Sequence, residues 1–465
     1  LRIFAGEMKY NIFTLSNGLR IIHLPSTAPV VYCGYQINAG SRNEDAGEEG
    51  LAHFCEHTTF KGTQRRHALE ILNCLESVGG DLNAFTNKED TTYYAAILKD
   101  HMPRAVDLLT DIVFHSTYPQ QEIDKEVEVI CDEIESYNDS PAELIYDEFE
   151  NLVFHGHPLG HNILGIADRV RSYTTADALR FTRRYYRPDN AIFFAYGDVD
   201  FHRLVRLLDK ATKDLSTLKG ADQDRLLLSI VSSSSMTSNA LNELLRQKEE
   251  AVKSSVSDLL RQKDEKAENA SEDKLRQKDE LSPGDTYVID KQTHQAHVMV
   301  GHRACDVHDN RRIALYLLNN IIGGPGMNAK LNLALRERNG LVYTVESTMV
   351  SYGDTGIWSV YFGCDEHDIK RCLRLTRGVV EKFIDQPLTE RQLHAAKKQI
   401  KGQIGVACDN RENFALDFGK SFLHYGWEKD VTALYEKIDA VTAEQIQQVA
   451  ADVMAPERWT TLIYK

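Results

Sequence analysis

The chain has 465 residues, 42% hydrophobic and 26% charged, with a formal net charge of −15. That length allows two to four domains, and the acidic balance argues against a nucleic-acid partner, which would require a basic footprint. No run of about 18 apolar residues suggests a membrane-spanning helix, and the eight cysteines are scattered without a CxxC pair, a usage that suits free thiols in a reducing compartment such as the cytoplasm.

The start, LRIFAGEMKYNIF, lacks the basic-then-apolar layout of a secretory signal; it also lacks an initiator Met, which leaves room for a trimmed leader. YNIFTLSNGLRIIHL predicts a hairpin turning at Ser16-Asn17-Gly18, and VVYCGYQINAG a further strand. A helical stretch holding His53 comes next, then a helix from Ala68 to about Val78 that stops at Gly79-Gly80. LNAFTN and TTYYAAIL read as strands, Met102–Phe114 as a helix, and an acid-rich helix runs from Gln120 to about Ser136.

The second half repeats this grammar. QAHVMVGHRA reads as a strand, RRIALYLLNNII as a helix ending at Gly323-Gly324, and VYTVESTMVS and GIWSVYFGC as two strands. Two long helices follow, IKRCLRLTRGVVEKFI and TERQLHAAKKQIKGQI. Matched by pattern, Ile123 falls opposite Leu393, so Glu126 and Glu133 stand opposite Ala396 and Gln403: the second copy keeps the scaffold without the acids. The expectation is a duplicated α+β unit, with domains at 1–215 and 286–465. The segment 216–285 between them carries LRQK at 245–248, 260–263 and 275–278, a strict 15-residue spacing. Fifteen residues is close to four helical turns, so the repeats would share a helix face. A solvated linker or insertion is the plain reading and a partner-binding helix the sharper one.

Chemistry concentrates in GLAHFCEHTTFKGT. His53 and His57 are four apart and so lie on one helix face, where both can reach one ion. Glu56, one residue before the second histidine, is placed to take a proton from water activated there. Such a pentapeptide also arises by chance, and two imidazoles alone do not hold a catalytic zinc. The acid-rich helix offers Glu122, Glu126, Glu128, Asp132, Glu133 and Glu135 as a third ligand. Spacing does not choose among them, and an acidic helix is commonly a solvated face. Cys55 points away from the histidine face and reads as a buried free thiol.

HFCEH, GGDLNAFTNKEDTTYY and EVEVICDEIESYNDSP together resemble the inverted-zincin peptidases of the pitrilysin/insulinase family. The chain is most similar to their short-chain branch, related to mitochondrial processing peptidase. GHRACD, GGPGMNAKLNLALRERNGLVYT and YGDTGIWSVYFG extend the resemblance through the second half, leaving out the LRQK segment. The resemblance implies two homologous domains, each a mostly antiparallel sheet with helices on one face. It implies one zinc per chain on His53, His57 and Glu133, with Glu56 as general base and Glu126 supporting the site. Arg336 and Tyr343 would contact substrate and the developing oxyanion, approaching the zinc of a partner subunit. A homodimer suffices for this and a heterodimer is the alternative.

The substrate would be a short or unfolded polypeptide adding to the edge strand LNAFTN, against Asn83, Ala84 and Phe85; a turn role for Asn83 is the plainer reading. The competing expectation is a non-catalytic assembly subunit, or a peptide-binding clamp, of the same fold.

Overall fold

The chain turns back at Ser16-Asn17-Gly18, where Gly18 takes φ +87°, a left-handed conformation with no steric cost in glycine. The turn joins β1 (Asn11–Thr14) to β2 (Arg20–Pro25) in antiparallel register. This is a computed structural model, and it describes residues 9–215 and 285–465. The LRQK repeats, and with them the expected charged insertion, lie outside the described residues.

The first half continues with β3 (Val30–Ile37), α1 (Leu51–Thr59), α2 (Ala68–Glu76), β4 (Asp81–Thr86), β5 (Thr91–Leu98), α3 (Met102–His115) and α4 (Gln120–Asn138). After these come α5 (Pro141–Val153), α6 (Ala167–Val170), α7 (Thr175–Tyr185), β6 (Ala191–Gly197) and α8 (Phe201–Ala211). The second half runs β7 (Thr286–Ile289), β8 (Ala296–Ala304), α9 (Arg312–Gly323), β9 (Val342–Ser351), β10 (Gly356–Cys364), α10 (Ile369–Asp385) and α11 (Glu390–Ala407). It closes with α12 (Arg411–Tyr425), α13 (Val431–Ala440), α14 (Ala443–Val453) and β11 (Thr460–Tyr464).

The strands form two sheets, ordered β1-β2-β6-β3-β5-β4 and β7-β11-β8-β10-β9. Apart from the extra edge strand β1, the two orders correspond. In each, one parallel pair (β2–β6, β7–β11) is followed by three antiparallel pairs, and the last strand of the half inserts beside its first. The protein is α+β, with two domains of common topology. β5, TTYYAAIL, is buried on both faces, which is why its sequence reads as a nearly continuous apolar run.

Each sheet packs its own half's helices on one face. In the first, Val31, Cys33, Tyr35, Tyr93 and Ala95 join Leu51, Phe54, Leu108 and Ile112 in one core. The opposite face of each sheet takes a helix from the other half. Phe414, Phe418 and Phe422 of α12 pack on Ile22, Leu24, Ile192 and Phe194. Leu144, Ile145 and Phe149 of α5 reciprocate against Met299, Tyr361 and Leu462. A buried ring of this size contributes roughly 1.5–3 kcal/mol relative to exposure, so this exchange of helices ties the two halves together.

The turn between β4 and β5 adds a polar tie. Asp90, fully buried, accepts from Asn87 Nδ2 at 3.0 Å and faces Lys420 Nζ at 2.8 Å and His424 Nε2 at 3.3 Å, both on α12. Glu89 pairs with Arg42 and accepts from the Gly353 amide at 3.2 Å, and buried Lys88 donates to the carbonyls of Leu159 and His161. The end of β4 is thereby held against both halves.

Candidate metal centre

The helix carrying the HFCEH motif starts where its backbone is anchored. Gly50 sits at φ +89°, and a Cβ there would lie 2.6 Å from the Leu164 carbonyl oxygen. The Glu44 carboxylate accepts from the amides of Gly50 and Ala52 at 3.0 and 2.8 Å, satisfying N–H groups that the first helical turn leaves unpaired. Leu51, Phe54, Cys55 and Thr58 enter the core. The rings of His53 and His57, one turn apart, stand 4.6 Å from centroid to centroid.

α4 docks beside α1 through Ile123, Val127, Ile130, Cys131 and Ile134, an apolar stripe at helical spacing. That docking rotates Glu126 and Glu133 toward the histidines. Glu133 Oε2 lies 3.2 Å from His57 Nε2 and 3.8 Å from His53 Nε2. Glu126 Oε1 accepts from His57 Nδ1 at 3.1 Å, and its other oxygen meets Lys61 Nζ at 2.5 Å. Glu122 instead bonds Lys125, and Glu128 faces Arg171 at 3.8 Å. Packing thus brings two of the six candidates, Glu126 and Glu133, to the histidines, with Glu133 facing both rings, where spacing did not choose.

The protonation pattern suits a metal. An ionised carboxylate can accept but not donate, so Glu126 holds one proton on His57 Nδ1, and it is the Nε2 proton facing Glu133 that an incoming metal would displace, leaving the tautomer a ligand needs. Burial works against charge on His57, but its bonds to Glu126 and Glu133 outweigh it and raise the metal-free imidazole to about 9. Burial, reinforced by the His57 charge, lowers His53 to about 4, keeping it neutral; its Nδ1 is buried with no hydrogen-bond partner among the described residues. Glu133 is held below the usual carboxylate range by its bond to His57. Glu126 is also lowered: burial opposes this, but His57 and Lys61 prevail.

His53, His57 and Glu133 each offer a ligand atom, all within 4.8 Å of one another. Two imidazoles and a carboxylate are a zinc donor set with an open fourth position, and this group could hold the ion. The other cluster of this kind among the described residues, Asp365, His367 and Asp368, is mostly exposed on a short turn.

Glu56 is half-buried beside this group. Burial raises its carboxyl above the ordinary range, partly offset by Thr86, whose Oγ1 donates to Glu56 Oε2 at 2.6 Å. Cys55 is a buried free thiol directed at the Ala178 carbonyl, 3.9 Å away, and burial pushes it well above its usual value.

Asn83, Ala84 and Phe85 lie within β4, the outermost strand of its sheet, opposite Tyr94, Tyr93 and Thr92. Asn83 is therefore a mid-strand residue and not part of a turn. Phe85 packs on Tyr94, with ring centroids 6.1 Å apart.

Arg336 lies on a widened helical turn, Asn332–Glu337, with its guanidinium 5.5 Å from the ring centre of Tyr343 on β9. Tyr343 is 81% exposed. Among the described residues, neither forms a hydrogen bond or ion pair with His53, Glu56, His57 or Glu133. The chain joins the two to each other and presents them outward.

Lys61 and Thr86 were not legible as site residues. Lys61 stands four positions after His57 in FKGT, and Thr86 shares a strand face with Ala84; both spacings are visible, but their targets depend on docking.

The insulinase (peptidase family M16) model matches residues 20–166, and the peptidase M16 inactive domain model matches 172–400. An uncharacterized zinc protease of Streptomyces coelicolor is 30% identical over 443 residues, covering 95% of this chain and 86% of that protein. A similarly named protein of Bacillus subtilis is 28% identical over 452 residues, covering 97% of each chain. The fold matches a protease from Helicobacter pylori at TM-score 0.79 and 21% identity, over 99% of this chain and 100% of the other. It also matches a peptidase M16 inactive domain structure from Pseudomonas fluorescens at TM-score 0.79 and 16% identity, over 98% of each. By its domain matches and its full-length relatives, the chain belongs to the insulinase family, peptidase family M16.

Proposed function

We propose that this protein is a zinc-dependent endopeptidase acting on short or unfolded polypeptides. The observation that carries the reading is the convergence of His53, His57 and Glu133 around one point, with the half-buried carboxylate of Glu56 beside them. These three residues would hold one zinc per chain, and bound zinc supplies a Lewis acid that polarises the scissile carbonyl and activates water. Glu56 takes the proton from the attacking water and passes it to the leaving amine. A carboxyl raised by burial is suited to that work near neutral pH. Glu126 and Lys61 orient His57 from behind.

The outer edge of β4, unpaired among the described residues, supports substrate binding by strand addition, with Asn83, Ala84 and Phe85 against the peptide. Tyr343 and Arg336, paired and facing outward, support a dimer in which each copy lends them to the other's oxyanion. A homodimer meets this requirement, since one chain carries both parts; a heterodimer is the alternative. All eight cysteines are free, consistent with the cytoplasm, and among the described residues no helix is long and apolar enough to cross a membrane.

The test is mass-spectrometric cleavage mapping on a mixed library of unstructured peptides, wild type beside Glu56→Gln, with zinc content measured on both. Cuts that vanish in the variant while zinc stays bound support the reading. Zinc-loaded wild type that cuts nothing would replace it with a peptide-binding clamp or assembly subunit.

A further inference from the structure

We infer that Thr86 is a positioning residue for Glu56, fixing the general base to the strand on which substrate docks; the inference rests on the peptidase reading above. The Thr86 hydroxyl has one proton and gives it to Glu56 Oε2 at 2.6 Å. Among the described residues it is the one hydrogen-bond partner of that carboxylate. Glu56 has three side-chain torsions and leaves α1 in a direction that its helix does not set. The threonine hydroxyl sets it, and Oε1 is left free for the water it deprotonates.

Thr86 is itself well held. It ends β4 opposite Thr91, which is fully buried and donates to the Ala39 carbonyl at 2.9 Å. The next residue, Asn87, is locked to Asp90 through its amide at 2.8 Å and its side chain at 3.0 Å. Asp90 in turn is clamped by Lys420 and His424 of α12. The hydroxyl is therefore fixed from the sheet on one side and from the second half on the other.

Strand geometry makes this arrangement useful. Leu82, Ala84 and Thr86 share one face of β4, while its outer backbone edge, unpaired among the described residues, is open to a peptide. One rigid element then carries both the peptide's hydrogen-bonding edge and the group that aims the base, so a bound peptide bond keeps a constant register relative to Glu56. A direct tie of this kind acts on the chemical step and not on ground-state binding.

The test compares Thr86→Val, which keeps shape and strand preference but removes the donor, with Thr86→Ser, which restores it. On a peptide that wild type cleaves, Thr86→Val is expected to lose about 10-fold or more in kcat with KM unchanged. Zinc affinity by chelator competition and melting temperature should stay at wild-type values, and Thr86→Ser should recover most of the rate. If the valine variant folds poorly, Thr86→Ala is read by the same split.

Wild-type kcat in the donor-less variant overturns the inference. So does a loss confined to KM or to zinc affinity, or a serine variant no better than valine. Glu56→Gln run in parallel separates the two failures. An inactive Glu56→Gln beside a fully active Thr86→Val sinks this inference alone, whereas a wild type that cuts nothing sinks both.

Discussion

The ammonium of Lys61 lies 2.5 Å from Glu126 Oε2, while Oε1 of the same carboxylate takes the Nδ1 proton of His57 at 3.1 Å. This chain of three side chains sets the orientation of one proposed metal ligand, His57, from residues outside the proposed ligand set. Glu126→Ala is expected to weaken zinc binding about 10–100-fold, the usual cost of losing such a partner. Lys61→Met, which keeps the length and removes the charge, should weaken it by less and in the same direction. Competition against a chromogenic chelator measures both; wild-type affinity in Glu126→Ala would show that the carboxylate does not support the ligand.

Zinc uptake should release a proton. Metal-free His57 is raised to about 9 and so carries a proton at pH 7, whereas His53, lowered to about 4, does not. Binding at pH 7 is expected to release about one proton per zinc, measured by titration calorimetry in buffers of different ionisation enthalpy. Because the folded pKa of His57 lies above its unfolded value near 6.5, its contribution to stability is full below that value and is lost as pH rises through about 9. Chelator-stripped protein should therefore lose melting temperature between pH 6.5 and 9, and zinc-loaded protein should lose less of it.

Acid should loosen the tie between the halves at Asp90. Burial alone would raise this carboxyl, but the bond to His424 and the charge of Lys420 hold it at about 2. A depressed folded value means the contribution is present above the ordinary value near 4 and is lost as pH falls through about 2. Asp90→Asn should cost on the order of 2 kcal/mol at pH 7. The variant's melting temperature should fall less steeply than wild type's from pH 4 to 2. Parallel acid profiles would show that Asp90 does not carry this term.

Arg336 and Tyr343 offer a test of the dimer. Glu56→Gln and Arg336→Ala chains should each be inactive alone. Mixed and allowed to exchange, they should regain peptide cleavage, because one copy supplies an intact base and the other an intact arginine. Continued inactivity of a mixture shown to contain both chains in one particle would place Arg336 in service of its own chain.

Local chemistry was legible in the sequence to the extent that backbone periodicity governs it. The hairpin at Ser16-Asn17-Gly18, the adjacency of His53 and His57, and the strands around Asn83 and Tyr93 all follow from turn propensity and from the 3.6- and 2-residue periods. The repeat between the halves was visible as a succession of elements, and the matching sheet orders carry it into the fold. The exchange of α5 and α12 was not visible. Neither segment is read as an element from the sequence, and the sheet that buries each belongs to the other half of the chain.

The same division runs through the site. A helix places residues i and i+4 together whatever surrounds it, so the histidine pair was present in the order of the residues. Glu126 and Glu133 share their helix with five other acids, and what singles them out is the rotation at which Ile123, Val127, Ile130 and Ile134 dock on the core. Lys61 and Thr86 acquire partners through contacts spanning 65 and 30 residues. Contacts of that range are set by helix docking and strand register, which no local period encodes.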